Sequence, residues 1–317
     1  MARAAPTDLP NPPKPYPGPV PETSRRVALL ASLTLLLVTA CWGSTFFLIK
    51  DLLDRVPAVD FLAVRFLIAG VFLTVLFPRA LGRLERDSWR HAAVLGAVYG
   101  TGQVLQTVGL AHTPASVSGF ITGMYVVCTP LLAAVLLKTR IGPLTWAAVL
   151  LATAGLAVLT LDGFSVGYGE GLTLVAAVLY ALHIVGLGAW ARKDQALGMS
   201  IVQLFMVSAL CFGAAAPGGI ELATTTRDWL SILYMAFFAA GLAMLGQTWA
   251  QAHLSPTRTA IIMSTEPVFA ALFAVLLGGE SVAGRMAVGG AMVLAAMLMV
   301  ELAPRRRIEA EVQHLTV

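Results

Sequence analysis

Charge is scarce in this chain. Asp, Glu, Lys and Arg make up 12% of the 317 residues and hydrophobic residues 58%, against roughly 25% and 45–50% in soluble domains. That balance excludes a single aqueous globule and indicates a polytopic membrane protein. Cysteine is almost as rare. Cys41, Cys128 and Cys211 fall in apolar runs without metal-ligand spacing, which argues against a disulfide framework or a zinc site. Also missing are an H-E-x-x-H pair, a G-x-S-x-G turn, clustered carboxylates and a G-x-x-x-x-G-K-[ST] loop. Neither an intramembrane enzyme nor a nucleotide-driven pump finds its chemistry here, so no catalysis, cofactor or metal is expected. The net charge of +4 comes from basic residues spread over short loops, so nucleic acid is not an expected partner. A lipid bilayer and a small-molecule substrate are; a homodimer stays open.

What is present is a series of apolar runs. They cover 27–49, 58–77, 92–110, 115–137, 144–161, 168–191, 199–220, 229–252, 260–277 and 283–302, each near the length that crosses about 30 Å of hydrocarbon. The expected fold is an all-α membrane protein of ten transmembrane helices. Arg25 and Arg26 precede the first run, which is too long for the core of a signal peptide. Residues 1–24 hold eight of the 17 prolines and read as a disordered cytoplasmic tail; 304–317 reads as a basic cytoplasmic one. With both termini inside, only Lys50, Arg55, Arg227 and Arg285 face out and Arg65 lies within a span. The other sixteen of the 21 Lys and Arg are cytoplasmic, as the positive-inside rule requires of a bacterial-type inner membrane protein.

A faint repeat runs through the chain. Gly102-Gln103 precedes Thr113-Pro114-Ala115 and a span containing Pro130; Gly246-Gln247 precedes Ser255-Pro256-Thr257 and a span containing Pro267. Two five-helix halves, 25–161 and 162–303, would have opposite orientations in the membrane, an inverted repeat with its site where the halves meet.

Polar residues inside the runs mark that site. Ser118, Thr122, Tyr125 and Thr129 recur at helical spacing on one face. Tyr99, Gln103 and Gln106 do the same in the third span, Thr173, Tyr180 and His183 in the sixth, and Gln247 and Gln251 lie one turn apart in the eighth. Such groups pair with each other or line a wet cavity. Pairing explains any one stripe; several converging favour a cavity. Arg65 is read as a structural or charge-pairing residue or one that snorkels outward. Glu266, beside Pro267 at mid-span, is read as a proton-coupling site or a structural carboxyl held by hydroxyls or Arg65. Pro130 and Pro267 are structural.

Trp42-Gly43-Ser44-Thr45-Phe46, Ala63-Val64-Arg65-Phe66, the segment from Thr113 to Pro130 with Phe120-Ile121-Thr122-Gly123, and Ser264 to Ala271 followed by Leu276-Leu277-Gly278-Gly279-Glu280 together resemble the EamA family of the drug/metabolite transporter superfamily. The resemblance covers roughly residues 27 to 303. It implies two five-helix repeats and a central cavity lined by spans three, four, eight and nine, with Trp42 and Thr45 among the substrate contacts. It also implies export of amino acids, metabolites or drugs by alternating access, either proton-coupled or as uncoupled facilitation or exchange. The sequence departs from the pattern at His112 and Pro114, and it carries Lys138 and Arg140 where a counterpart of Glu280 would stand.

Overall fold

Proline sets where several helices begin. Pro143 and Pro256 open theirs and Pro57 immediately precedes another, positions where a missing N–H is no loss and φ is already set. The computed structural model describes residues 25–113, 115–138, 141–160, 167–278 and 284–302. These form α1 (Arg25–Gly43), α2 (Phe46–Leu53), α3 (Ala58–Leu76), α4 (Arg86–His112), α5 (Ala115–Gly123), α6 (Tyr125–Leu136), α7 (Pro143–Thr160) and α8 (Tyr168–Trp190). Then come α9 (Ala196–Ala215), α10 (Thr226–Tyr234), α11 (Ala243–Gln251), α12 (Pro256–Met263), α13 (Glu266–Gly278) and α14 (Gly284–Leu302). A 3₁₀ turn covers Leu81–Arg83, and a π-helical stretch, Met235–Leu242, joins α10 to α11. There is no strand among the described residues. The stretches 1–24 and 304–317, Pro114, Arg140, Asp162 and Glu280 lie outside them.

Among the described residues, five helical units are long and apolar enough to cross a bilayer: Arg25–Leu53, Ala58–Leu76, Tyr168–Trp190, Ala196–Ala215 and Thr226–Gln251. Shorter apolar helices cover Ile121–Leu136, Pro143–Val158 and Ala287–Met299. Leu37, Val75, Val135, Leu150 and Leu276 stand exposed on the outside, as side chains facing lipid do.

Three runs that read as single helices are broken. The run 27–49 divides at Ser44-Thr45, 115–137 at Met124, and 260–277 at Ser264-Thr265. The cause at two of them is local competition for carbonyls. Ser44 Oγ donates to Cys41 O at 2.7 Å and Thr45 Oγ1 to Trp42 O at 2.8 Å. Ser264 Oγ donates to Ile261 O and Thr265 Oγ1 to Ile262 O, both at 2.7 Å. The backbone tightens with the side chains: the amides of Thr45, Met124 and Thr265 each bond the carbonyl three residues back. Pro130 lies inside α6 and Pro267 in the first turn of α13, so neither is a break point.

The helices pack closely where side chains are small. α4 lies along α8 and α9, α3 along α9 and the π-helical stretch, and α7 along α14. At Gly96 a Cβ would come within 2.8 Å of Met206 Cβ on α9, and at Gly155 within 2.9 Å of Gly289 O on α14. Small residues let membrane helices approach this closely.

Candidate functional site: a polar cavity among broken helices

Trp42, at the end of α1, and Thr45, in the break that follows it, face the protein interior. Trp42 Nε1 donates to Ala239 O of the π-helical stretch at 2.9 Å. Tyr234 OH lies 2.7 Å from Ser44 Oγ, whose proton is used on Cys41 O, so the phenol is the donor. Lys50, further along α2, straps it to the end of α4 by donating to Leu110 O at 2.9 Å and Thr113 O at 3.3 Å.

Inside these elements lies a cavity of about 680 Å³, open solvent at its mouth included. α1 presents Trp42, the break after it Thr45 and α3 Arg65; α4 presents Tyr99, Gln103 and Gln106. The broken α5–α6 unit contributes Thr122 and Tyr125, α8 Tyr180 and His183, α11 Gln247 and α13 Glu266. The structure thus brings together twelve of the residues singled out from sequence. Gln251 is not among them: it is buried behind the wall, its Nε2 donating to Ile184 O at 2.8 Å and its Oε1 accepting from Gln247 Nε2 at 3.1 Å. Pro130 and Pro267 also lie off the lining. Thr173 instead donates to Gly169 O within α8.

The amides and phenols form one connected wall. Gln103 Nε2 donates to Tyr99 OH at 3.1 Å and to Tyr180 OH at 2.8 Å; Tyr180 OH donates to Gln106 Oε1 at 2.7 Å; Gln106 Nε2 donates to Thr122 Oγ1 at 3.0 Å. α4, α8 and the end of α5 are tied together by it. Along the hydroxyl stripe the outcome is mixed. Thr122 and Tyr125 face the cavity, whereas Ser118 and Thr129 are buried off it, and Ser118 Oγ, Tyr125 OH and Thr129 Oγ1 have no hydrogen-bond partner among the described residues.

His183 is held from behind by a residue that sequence reasoning missed. Gln203 Nε2 donates to Met199 O at 3.2 Å and Thr248 Oγ1 at 3.4 Å. A carbonyl only accepts, so the amide nitrogen must face Met199, and Gln203 Oε1 is what meets His183 Nε2 at 2.8 Å. His183 therefore carries its proton on Nε2, leaving Nδ1 an acceptor beside Tyr99, whose ring centroid is 4.9 Å away. The available signal was a single amide in α9, whose other polar side chains are Ser200 and Ser208.

An arginine and a glutamate share the cavity without meeting. Arg65 is 3% exposed and has no carboxylate within ion-pair distance among the described residues. The expected charge pairing is replaced by one bond, Nη2 to Ala239 O at 3.2 Å, and by the rings of Phe61 and Phe66 5.7 and 5.2 Å from its Cζ. Glu266 opens α13, where the amides of Val268 and Phe269 already donate to Thr265 O and Pro267 has no N–H. No side-chain partner holds its carboxylate among the described residues, so neither Arg65 nor a hydroxyl secures it.

No group of three or more His, Cys, Asp and Glu side chains fit to hold a metal occurs among the described residues. Beyond the apolar runs, several charges are paired. Arg55 Nη2 lies 2.7 Å from both Asp51 Oδ2 and Asp228 Oδ1, and its hydrogen bonds hold both carboxyls below the usual carboxylate range. Near Gln195, Arg192 pairs with Glu85 and Asp194.

Known proteins resemble this arrangement throughout its length. Residues 29–161 and 167–302 each match the EamA-like transporter family. A protein of Archaeoglobus fulgidus named "Uncharacterized transporter" is 32% identical over 275 residues, 86% of each chain. "Uncharacterized inner membrane transporter YedA" of Escherichia coli (strain K12) is 24% identical, covering 76% of this chain and 80% of its own. A solved crystal structure superposes with a TM-score of 0.74 at 20% identity, over 90% of this chain and 99% of the other, a likeness of fold.

Proposed function

This chain belongs to the EamA-like transporter family and is a multi-pass membrane transporter, and from that premise we propose that it is a secondary exporter of small organic metabolites. Amino acids, related metabolites and drugs form its substrate range, and transport proceeds by alternating access. Ten spans in two inverted five-helix repeats, with both termini cytoplasmic in a bacterial-type inner membrane, are part of this reading. The matching of 29–161 and 167–302 to one family supports the repeat, as does the mid-span break shared by α5–α6 and α12–α13.

One observation carries the functional reading: a single cavity collects polar groups from both halves of the chain and exposes an unpartnered carboxylate, Glu266, to whatever enters. Trp42, Thr45, Tyr99, Gln103, Gln106, Thr122, Tyr125, Tyr180, His183 and Gln247 contact substrate, with Gln251 supporting Gln247. Glu266 exchanges a proton between the two sides as the cavity reopens, because only a group whose charge changes can couple transport to protons. Discontinuous helices around a central site are a recurrent device of secondary transporters.

The test uses proteoliposomes. Compounds found by a thermal-shift screen of amino acids, nucleobases and cationic drugs are loaded on one side, and a trapped pH dye reports the interior. Substrate movement accompanied by a proton flux supports the coupled exporter; movement without one makes it an uncoupled facilitator. No movement of any binding compound removes the transport mechanism proposed. Cysteines introduced at Ala2 and Val317 should label only from the cytoplasmic side of intact cells. External labelling of either overturns the orientation.

A further inference from the structure

Arg65 is a buried cation whose donors are mostly unspent. A guanidinium has five N–H groups, and one bond, to Ala239 O, is made by Nη2. Nε is buried with no partner, and Nη1 makes no hydrogen bond to the described residues. Phe61 and Phe66 flank the group and hold it flat without neutralising it. Burial of an ionised group at this depth is retained where a counter-charge arrives, and the one protein carboxylate on the same cavity, Glu266, is not within ion-pair distance. The open side of Arg65 is the cavity.

We infer that Arg65 is the specificity-determining anchor for an oxyanion of the transported molecule, which makes the substrates small organic monoacids, carboxylates above all. A guanidinium fork matches the two oxygens of a carboxylate, whereas an ammonium does not. A monoanion fits better than a phosphate ester, because one guanidinium balances one charge and leaves a second uncompensated in the buried site. The aromatic walls at Trp42, Tyr99 and Tyr180 receive the apolar part of the molecule. This inference rests on the transporter reading but narrows it: cationic drugs leave the substrate range.

The experiment titrates the purified full chain with matched pairs that differ in the anion alone: acetate and acetamide, butyrate and butyramide, benzoate and benzamide, with phenyl phosphate as a dianion. Thermal unfolding and calorimetry are the readouts. For at least one pair the acid should bind the wild type about tenfold or more tightly than its amide, while phenyl phosphate binds more weakly than benzoate. Arg65→Gln should erase the difference between acid and amide, Arg65→Lys should leave part of it, and Glu266→Gln should preserve or enlarge it. Equal binding of acids and amides by the wild type overturns the inference, as does a preference that survives Arg65→Gln. Should Arg65→Gln fail to fold, the wild-type pairs and Arg65→Lys still decide. Carboxylates that bind through Arg65 but never cross proteoliposomes would sink the transport mechanism and leave the anion site standing. Transport confined to neutral or cationic compounds would do the reverse.

Discussion

Arg55 and Arg65 stand on neighbouring stretches of the chain and meet opposite conditions. Arg55, itself partly exposed, reaches two carboxylates, the exposed Asp51 and the buried Asp228. Arg65, in the low-dielectric interior, faces none within ion-pair distance, although Glu266 lines the same cavity. The contact with exposed Asp51 contributes little, because water and salt screen it. Leaving Arg65 without a partner in the interior is expensive, since an unpaired ion in that setting costs several kcal/mol. A sequence that saturates its charges where saturation matters least, and leaves them open where it matters most, is using the interior ones for something other than holding the fold.

That contrast can be broken at several depths. Glu266→Gln should have the largest effect: net substrate-driven proton movement falls to the level of empty liposomes, while counterflow exchange, which needs no net proton transfer, persists. Retention of pH-dependent transport in this variant would remove Glu266 from the coupling role. Gln203→Leu comes next. It removes the acceptor of His183 Nε2–H and should lower stability by roughly 1–3 kcal/mol, measurable by unfolding in mixed detergent. In the wild type, nitrogen NMR of labelled histidine should show the His183 Nε2–H tautomer, and in Gln203→Leu that signature should be lost. An unchanged spectrum would mean that Gln203 does not set the tautomer.

Asp228→Asn should do least. Arg55 depresses the carboxyl's folded-state pKa below its unfolded value of about 3.9, so its contribution is full above roughly pH 4 and disappears as pH falls through the folded value. The melting difference between wild type and variant is therefore small at neutral pH, smaller in high salt and absent in strong acid. A difference that grew on acidification would contradict the pairing. Transport by this variant should stay near wild type, and a large loss would erase the distinction between edge and interior.

Much of the site was legible because polar residues inside apolar runs are few, and helical spacing assigns each to a face. Tyr99, Gln103 and Gln106 fell on one face by counting and form one wall in the structure. Counting failed where the helices break. Around the break at Met124 only Thr122 and Tyr125, the hydroxyls nearest the turn, reach the cavity, while Ser118, one turn earlier in α5, and Thr129, one turn later in α6, are buried off it. The breaks themselves were hidden, since apolar length reports a span without reporting whether its hydrogen bonds run unbroken. Ser44-Thr45 and Ser264-Thr265 were visible as residues, yet serine and threonine also sit inside intact membrane helices, bonded to a preceding carbonyl as Ser32, Thr74 and Thr153 are here. Gln203 was missed for a different reason: a lone amide forms no stripe.

The π-helical stretch Met235–Leu242 has a consequence for how the chain tolerates changes in length. Each π turn closes over one residue more than an α turn, so this stretch stores slack. Elsewhere in a spanning helix, deleting one residue rotates everything beyond it by about 100° and turns cavity residues toward lipid. Within 235–242 the same deletion can be absorbed by reversion to ordinary α-helix, with Gln247 still facing inward. What it cannot keep is the carbonyl of Ala239 in place beneath both Trp42 and Arg65. A shortened variant should thus insert and fold while losing the clasp that fixes the guanidinium, which makes this stretch an editable joint between the scaffold and the charge it carries.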